Sequence, residues 1–345
     1  MFNKKDPTKN QYMLKGSLRR RGYDWWWHSF TGRNVRTGEE KPFFIEFFLM
    51  NPSLGGEKPV LGQEKENQEK GIKPSYLMVK AGCWGKDKMQ LHRFFPWSEV
   101  QIKEGAPFSV TALDCFASDT VLKGSVTVTE EDAALHPEWM CDSGSMTFDL
   151  KIEKRIAFNV GYGASAFFRV LNAFEMYWHA EGMKSLYSGT IVANGETYLV
   201  EKSSSYGYAD KNWGGDFTTP WVWLSSNNLK SSHTGRILTN SVFDIGGGRP
   251  KVFGISLNRK LLGVFYYEGK EYDYNFSHFW KGVHTVFSFE EEEDSVHWHI
   301  QQENWKSRMI TDIHCRKEDM LFVNYEAPDG KKRHNKLWNG GNGTG

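Results

Sequence analysis

Cysteine is scarce in this chain. The 345 residues hold four, Cys83, Cys115, Cys141 and Cys315, and no two form a Cys-x-x-Cys pair. That spacing argues against a disulfide framework or a zinc ribbon and predicts reduced thiols. Long apolar runs are also missing. Even "FFIEFFLM" is short and broken by Glu46, so no transmembrane segment is expected. The opening "MFNKKDPTKNQYMLKGSLRRR" carries charge with no apolar stretch behind it, which is not a secretory signal. A soluble, cytoplasmic protein is the expectation.

Net charge is nearly absent as well. Lys and Arg number 43 against 42 Asp and Glu, so nothing pulls the whole molecule toward nucleic acid or anionic lipid. Any partner is recognised locally. "RRRGYDWWW" mixes basic and aromatic residues as single-strand binders do, but no second basic stripe accompanies it, and no nucleic-acid partner is expected. A Gly-x-Ser-x-Gly elbow is lacking. Gly246–Gly248 precede no Gly-Lys-Ser/Thr pattern and read as a turn, not a phosphate cradle. No cofactor is expected. His297 and His299 share a strand face with His314 on a nearby run, which is a zinc or iron pattern on β scaffolds. No carboxylate completes the set at diagnostic spacing, so surface or core histidines are expected and no metal.

Aromatic residues are abundant: 15% of the chain, with 14 Trp. They favour strands and also line pockets for flat or greasy ligands. Short β-branched and aromatic runs recur between turn signals, among them "SYLMVKAG", "VLKGSVTVT" and "KVFGISLNRKLLGVFYY". Asn194-Gly195 predicts a hairpin, and Asn258-Arg259 and the acidic run Glu290–Asp294 mark further turns. Helical patterns are few. Thr129–Trp139 offers a capping threonine, acidic first-turn residues and a proline stop, and "ASAFFRVLNAF" suits a second short helix. "GGEKPVLGQEKENQEKGIKP" reads as an exposed loop. The expected architecture is all-β, with antiparallel barrel or sandwich domains at 1–160 and 161–334 and a flexible tail at 335–345. Trp27-His28 and Trp178-His179 each follow an aromatic-acidic opening, and so suggest equivalent positions in two related domains.

Alternation along "FEMYWHAE" places Glu175, Tyr177, His179 and Glu181 on one strand face and Phe174, Met176, Trp178 and Ala180 on the other. The polar face is either solvated or a pocket wall carrying acid and base groups. "DKNWG" reads as a strand end or loop. Asp210 there either holds turn amides or is a buried acid with a raised pKa. Lys211 either pairs near Asp210 or reaches solvent, and Asn212 suits the orientation of a phenol or carbonyl oxygen. Trp221 and Trp223 share a face, with Trp213 packing on them across the Gly-Gly turn. These indoles are either core braces or the wall of a pocket.

"MYWHAEG", the following "SGTI" and "GETY", then "DKNWG" and "WVWLSSN", resemble the tocopherol cyclase-like family, and "GYDWWWHSF" resembles that family's opening strand. The resemblance implies two packed lipocalin-like β domains and a hydrophobic aromatic or prenylated small molecule as partner. It also implies redox-neutral closure of a ring by addition of a hydroxyl to a double bond. Under it, Asp210, Glu181 and His179 are the candidate catalytic acids. Tyr177, Trp178, Asn212, Trp213, Trp221, Trp223, Trp27 and His28 are the candidate substrate contacts. Hydration of an alkene by the same acid, a non-catalytic carrier and an interaction protein with a filled pocket are the alternatives.

Overall fold

The computed structural model describes residues 10–158, 170–171, 173–276, 278–331 and 333–345. Its helices among these residues are short: α1 (Leu18–Arg21), α2 (Lys65–Lys70) and α3 (Glu130–Leu135). The last is capped as the sequence predicts, Thr129 accepting the Asp132 N–H. The second lies within the segment expected as an exposed loop. The run "ASAFFRVLNAF" falls mostly outside the described residues.

The protein is all-β and antiparallel. Strands β1 (Tyr23–Asn34), β2 (Glu40–Met50), β3 (Tyr76–Cys83) and β4 (Met89–Phe95) form one wing of a twelve-stranded sheet. The other wing comprises β5 (Val100–Lys103), β6 (Ser109–Ala112), β7 (Cys115–Ser118), β8 (Val121–Val128) and β9 (Gly144–Phe158). Three strands join the wings: β10 (Met176–Ala193), β11 (Glu196–Val200) and β12 (Gly207–Gly214). The wings curl together, since Arg93 on β4 donates to the Ser125 carbonyl on β8 at 3.0 Å. The sheet is barrel-like.

The remaining strands build smaller sheets. β13 (Trp221–Ser226) pairs with β14 (Val242–Gly248), and a small hairpin, β15 (Lys251–Val252) with β16 (Ile255–Ser256), follows. β17 (Lys260–Tyr267) and β18 (Lys270–Asp273) complete the β13–β14 sheet. β19 (His284–Glu291), β20 (Ser295–Glu303) and β21 (Arg308–Arg316) form a meander, and β22 (Leu321–Glu326) pairs with β23 (Arg333–Asn339). Residues 176–214 thus complete the first sheet and do not open a second one after residue 160.

Local turn chemistry explains several junctions. Asn194 and Gly195 both take positive φ (47° and 81°), the two-residue hairpin turn expected between β10 and β11. Residues 292–294 turn β19 into β20, as the acidic run suggests. Asn258-Arg259 instead links β16 to β17, and Phe253-Gly254 makes the hairpin turn there. The tail is no free end: residues 333–339 form β23, and Thr344 exchanges backbone hydrogen bonds with His314 at 2.8 and 2.9 Å. The four cysteines are unpaired. Among the described residues, no helix is long and apolar enough to cross a membrane.

Period-two alternation gives the large sheet two different faces. One carries Trp26, Phe47, Tyr177, Tyr187 and Trp213 into the barrel interior. The other carries Tyr23, Trp25, Trp27, Phe48 and Trp178, covered by Val242, Val264 and Tyr266 of the β14–β17 sheet and by Tyr325 of β22. Burying an aromatic side chain of this size contributes about 2–3 kcal/mol, so these two aromatic layers dominate the packing. The candidate site lies between the second face and the sheet that covers it.

Candidate functional site

Strand β12 reads "GYADKNWG", and all eight residues are buried. The "DKNWG" motif therefore forms the second half of a strand held between β1 and β10 and runs to its end at Gly214, so it is a strand end and not a loop. It is flanked by both Trp-His pairs: Trp27 pairs with Asp210 and His28 with Ala209, while Trp178 pairs with Asn212 and His179 with Lys211. The two dipeptides lie either side of one strand in one sheet, not at matching places in two domains. Polar residues survive there because each has a partner, without which burial costs several kcal/mol.

Alternation splits the motif between the two faces. Lys211 and Trp213 point into the barrel, where Lys211 is ion-paired with Asp24 and sits 3.8 Å from the centre of the Trp26 ring. Burial pushes the Asp24 carboxyl up to about 6, against the pull of Lys211. Trp213 stacks on Tyr177 at 5.4 Å and does not reach Trp221 or Trp223, because it lies on the opposite face from Asn212.

His179 and Glu181 also belong to the barrel interior. Glu181 bonds Lys154 at 3.0 Å, and Lys154 bonds Asp119 at 2.8 Å. Burial pushes Glu181 up to about 7, opposed by Lys154. His28 is buried there too. The Tyr187 hydroxyl donates to the Tyr208 carbonyl at 3.1 Å, so it accepts from His28 Nδ1 at 2.8 Å. Burial, then the charge of Lys154, drives the His28 pKa well down, and the imidazole is neutral. None of His179, Glu181 and His28 lines the cavity beside Asp210.

Asp210 and Asn212 face the other way, into a cavity of about 110 Å³. Its walls include Met176, Trp178, Trp221, Trp223 and Leu262, with Tyr177 at one side. A second cavity of about 520 Å³ shares Trp221 and Trp223 with the first, so the two indoles form a common partition. Trp27 contributes to neither; it stacks on Phe44 at 5.1 Å as a core brace.

Asp210 is not a turn residue. Its Oδ2 accepts the Trp178 indole N–H at 2.8 Å, and its Oδ1 has no hydrogen bond. Burial pushes the carboxyl up to about 8; the Trp178 bond opposes this, and the negative charge of Glu181 adds to it. Asp210 is consequently protonated at neutral pH. Asn212 fits its surroundings best with its amide N–H donating to the Tyr177 carbonyl (3.2 Å) and its oxygen accepting from the Trp25 indole (3.0 Å).

Two residues of the site carry no sequence signal of their own. Asp244 accepts from the Tyr208 hydroxyl and the Trp223 indole, both at 3.0 Å, and burial drives its pKa well up. It anchors the partition indole. Gly246 lies in strand β14, so the triple glycine is not a turn. A Cβ at Gly246 would stand 2.4 Å from the Trp178 ring, so only glycine lets that indole lie flat against β14 and reach Asp210.

The three histidines of the metal pattern are taken up locally. His297 stacks on His314 at 3.9 Å, and His299 bonds Asp312 at 2.7 Å. Among the described residues, no group of three or more His, Cys, Asp and Glu is arranged to hold a metal ion.

The family described as "Tocopherol cyclase-like" matches residues 114–323. "Tocopherol cyclase, chloroplastic" of Zea mays is 30% identical over 101 residues, which are 29% of this chain and 20% of that protein. The chain thus matches a fifth of that relative's length. Two solved structures are similar. One, described as an AttH candidate of Nitrosomonas europaea, has 11% identity and a TM-score of 0.39, covering 81% of this chain and 78% of that one. The other, CghA with Sch210972, has 10% identity and a TM-score of 0.46, covering 90% and 80%.

Proposed function

This chain belongs to the tocopherol cyclase-like family, and from that premise we propose that it is a redox-neutral cyclase acting on a hydrophobic phenolic or isoprenoid-like molecule. Asp210 is the general acid of this reading. One observation carries it: a buried carboxyl with one oxygen unbonded, on the wall of a cavity lined by indoles, where burial pushes its pKa up.

The chemistry is written on this chain's own residues. Asp210 Oδ1–H delivers its proton to the substrate double bond, and positive charge develops on the more substituted carbon. The faces of Trp178, Trp221 and Trp223 shelter that carbon; a cation over a desolvated indole gains about 2 kcal/mol. The substrate hydroxyl oxygen attacks the same carbon, closing the ring. The hydroxyl proton returns to the Asp210 carboxylate, so the acid is regenerated and no electrons are exchanged. Asn212 orients the attacking oxygen. The reacting end lies in the smaller cavity, and the apolar remainder passes the Trp221–Trp223 partition into the larger one.

Glu181 and His179 lie across the sheet from this cavity, which supports Asp210 over the other two candidates. The test is incubation with a panel of prenylated quinols, read by mass spectrometry. A cyclised product of unchanged mass, lost in Asp210→Asn while quinol binding persists, is the expected result. Gain of one water would make the protein a hydratase. Recovery of every quinol unchanged would leave a carrier.

A further inference from the structure

We propose that Lys260 forms an anion subsite at the mouth of the smaller cavity, and that it takes a carboxylate carried on the ring of the ligand. Lys260 is the first residue of β17. Leu261 turns into the layer that holds Ile245 and Ile300. Lys260 and Leu262, two residues apart, share the opposite face, and both line the cavity. Lys260 is exposed and Leu262 half-buried, so the ammonium group stands at the mouth and the leucine further in.

The neighbouring strand does not screen this group. The register sets Lys260 opposite Gly248 and Leu262 opposite Gly246, so β14 offers no side chain at either position. Lys260 Nζ lies 6.0 Å from the centre of the Phe276 ring, which also lines the cavity. Among the described residues on the cavity wall, Lys260 is the sole basic side chain and Asp210 the sole carboxyl. Asp210 is protonated at neutral pH and supplies no counter-charge. Lys251 is ion-paired with Glu175 at 3.2 Å, whereas Lys260 has no carboxylate within ion-pair reach among the described residues. No Asp or Glu occurs between Asp244 and Glu268. A cation with no counter-charge, at the edge of an apolar cavity, is matched by an anion on the ligand.

The chemistry of the anion follows from the donor. An ammonium group is a point charge without a fork of donors, which suits a single carboxylate and not a diphosphate, on which several donors converge. Asp210 belongs to β12 of the large sheet and Lys260 to β17 of the sheet that covers it, so the two groups address a ligand from opposite layers. The placement of the carboxylate rests on the cyclase reading, in which the ring lies beside Asp210 and the prenyl chain leaves past the Trp221–Trp223 partition. The group that meets Lys260 is then a substituent of the ring itself. The preferred ligand is a prenylated phenolic acid.

The test titrates the full chain, at low salt, with a geranylated hydroxybenzoate and with the corresponding benzamide, which has the same shape and no charge. Binding is read by quenching of tryptophan fluorescence. The acid should bind about fivefold more tightly, the upper end for an ion pair open to solvent, and the preference should fade as salt is raised. Lys260→Met should remove the preference while amide binding and circular dichroism match the wild type, and Lys260→Arg should keep it. Equal binding of acid and amide by the wild type, or binding of neither, overturns the proposal. So does a preference that survives in Lys260→Met or is lost in Lys260→Arg. Turnover of the same pair separates the two readings. Recovery of the acid uncyclised, with the binding preference intact, would count against the cyclase reading alone. Cyclisation of acid and amide with equal KM would leave that reading standing and overturn the subsite.

Discussion

Replacing Asp210 by Asn should stabilise the protein, and increasingly so as pH rises. The carboxyl has a pKa of about 8 in the folded state, against an ordinary 3.8. Between those values the unfolded chain has released the proton that the folded chain still holds. Stability therefore falls with rising pH, by about 1.4 kcal/mol per unit for this one group. At pH 7 the accumulated cost is about 4 kcal/mol, and above the folded pKa it levels off near 6 kcal/mol. Asparagine never ionises, so the variant escapes the whole of it. Its oxygen can still accept the Trp178 indole. Its amide N–H group replaces an oxygen that has no partner, which adds a constant penalty of about 1–3 kcal/mol independent of pH. The slope, not the offset, is therefore diagnostic. Urea unfolding followed by tryptophan fluorescence from about pH 5 to about pH 8 should show the gap between variant and wild type widening by about 1.4 kcal/mol per unit. A flat gap, or one that narrows as pH rises, would refute a protonated Asp210.

Other expectations concern its neighbours. Gly246→Ala places a methyl group against the Trp178 ring and should cost about 1–3 kcal/mol, with a larger fractional loss of turnover than of substrate affinity in steady-state kinetics. Lys211→Met removes the charge that pulls the buried Asp24 carboxyl down, so Asp24 must take up a proton to stay folded, and the variant should cost about 3–5 kcal/mol by chemical denaturation at neutral pH and above; adding Asp24→Asn should recover much of that loss. Glu181→Gln should retain turnover, because Glu181 faces the barrel, and should move the alkaline limb of the pH–rate profile to lower pH by removing the negative charge that helps hold the Asp210 proton.

What the sequence reveals here is chiefly what short range determines. The Asn194-Gly195 hairpin, the Thr129 cap and the shared face of Trp221 and Trp223 depend on neighbours one to three residues away, and all are visible in the string. Alternation along "FEMYWHAE" likewise separates Trp178 from His179 and Glu181, as the sheet does. "DKNWG" does end a strand, but its burial is not legible, because polar residues beside two glycines look like an exposed turn. Their burial depends on partners far along the chain: Asp24 is 187 positions from Lys211, and Trp178 is 32 from Asp210. Asp244 stays hidden for the same reason, since only the fold brings Trp223 and Tyr208 to it. Phe253 escapes because phenylalanine is not a turn signal, and only the backbone shows it at positive φ.

The ion pair of Lys211 with Asp24 has a consequence beyond its own energy. Successive side chains of a strand take opposite faces, so a slip of β12 by a single residue would turn Lys211 toward the cavity and drive Asp210 into the barrel. The same slip would tear the lysine from its only matched counter-charge on β1 and leave two carboxylates crowded in a dry interior. The pair thus works as an index pin. It fixes whether the carboxyl of Asp210 or the ammonium of Lys211 meets the incoming molecule, and so settles which of the two chemistries that surface offers before any ligand arrives.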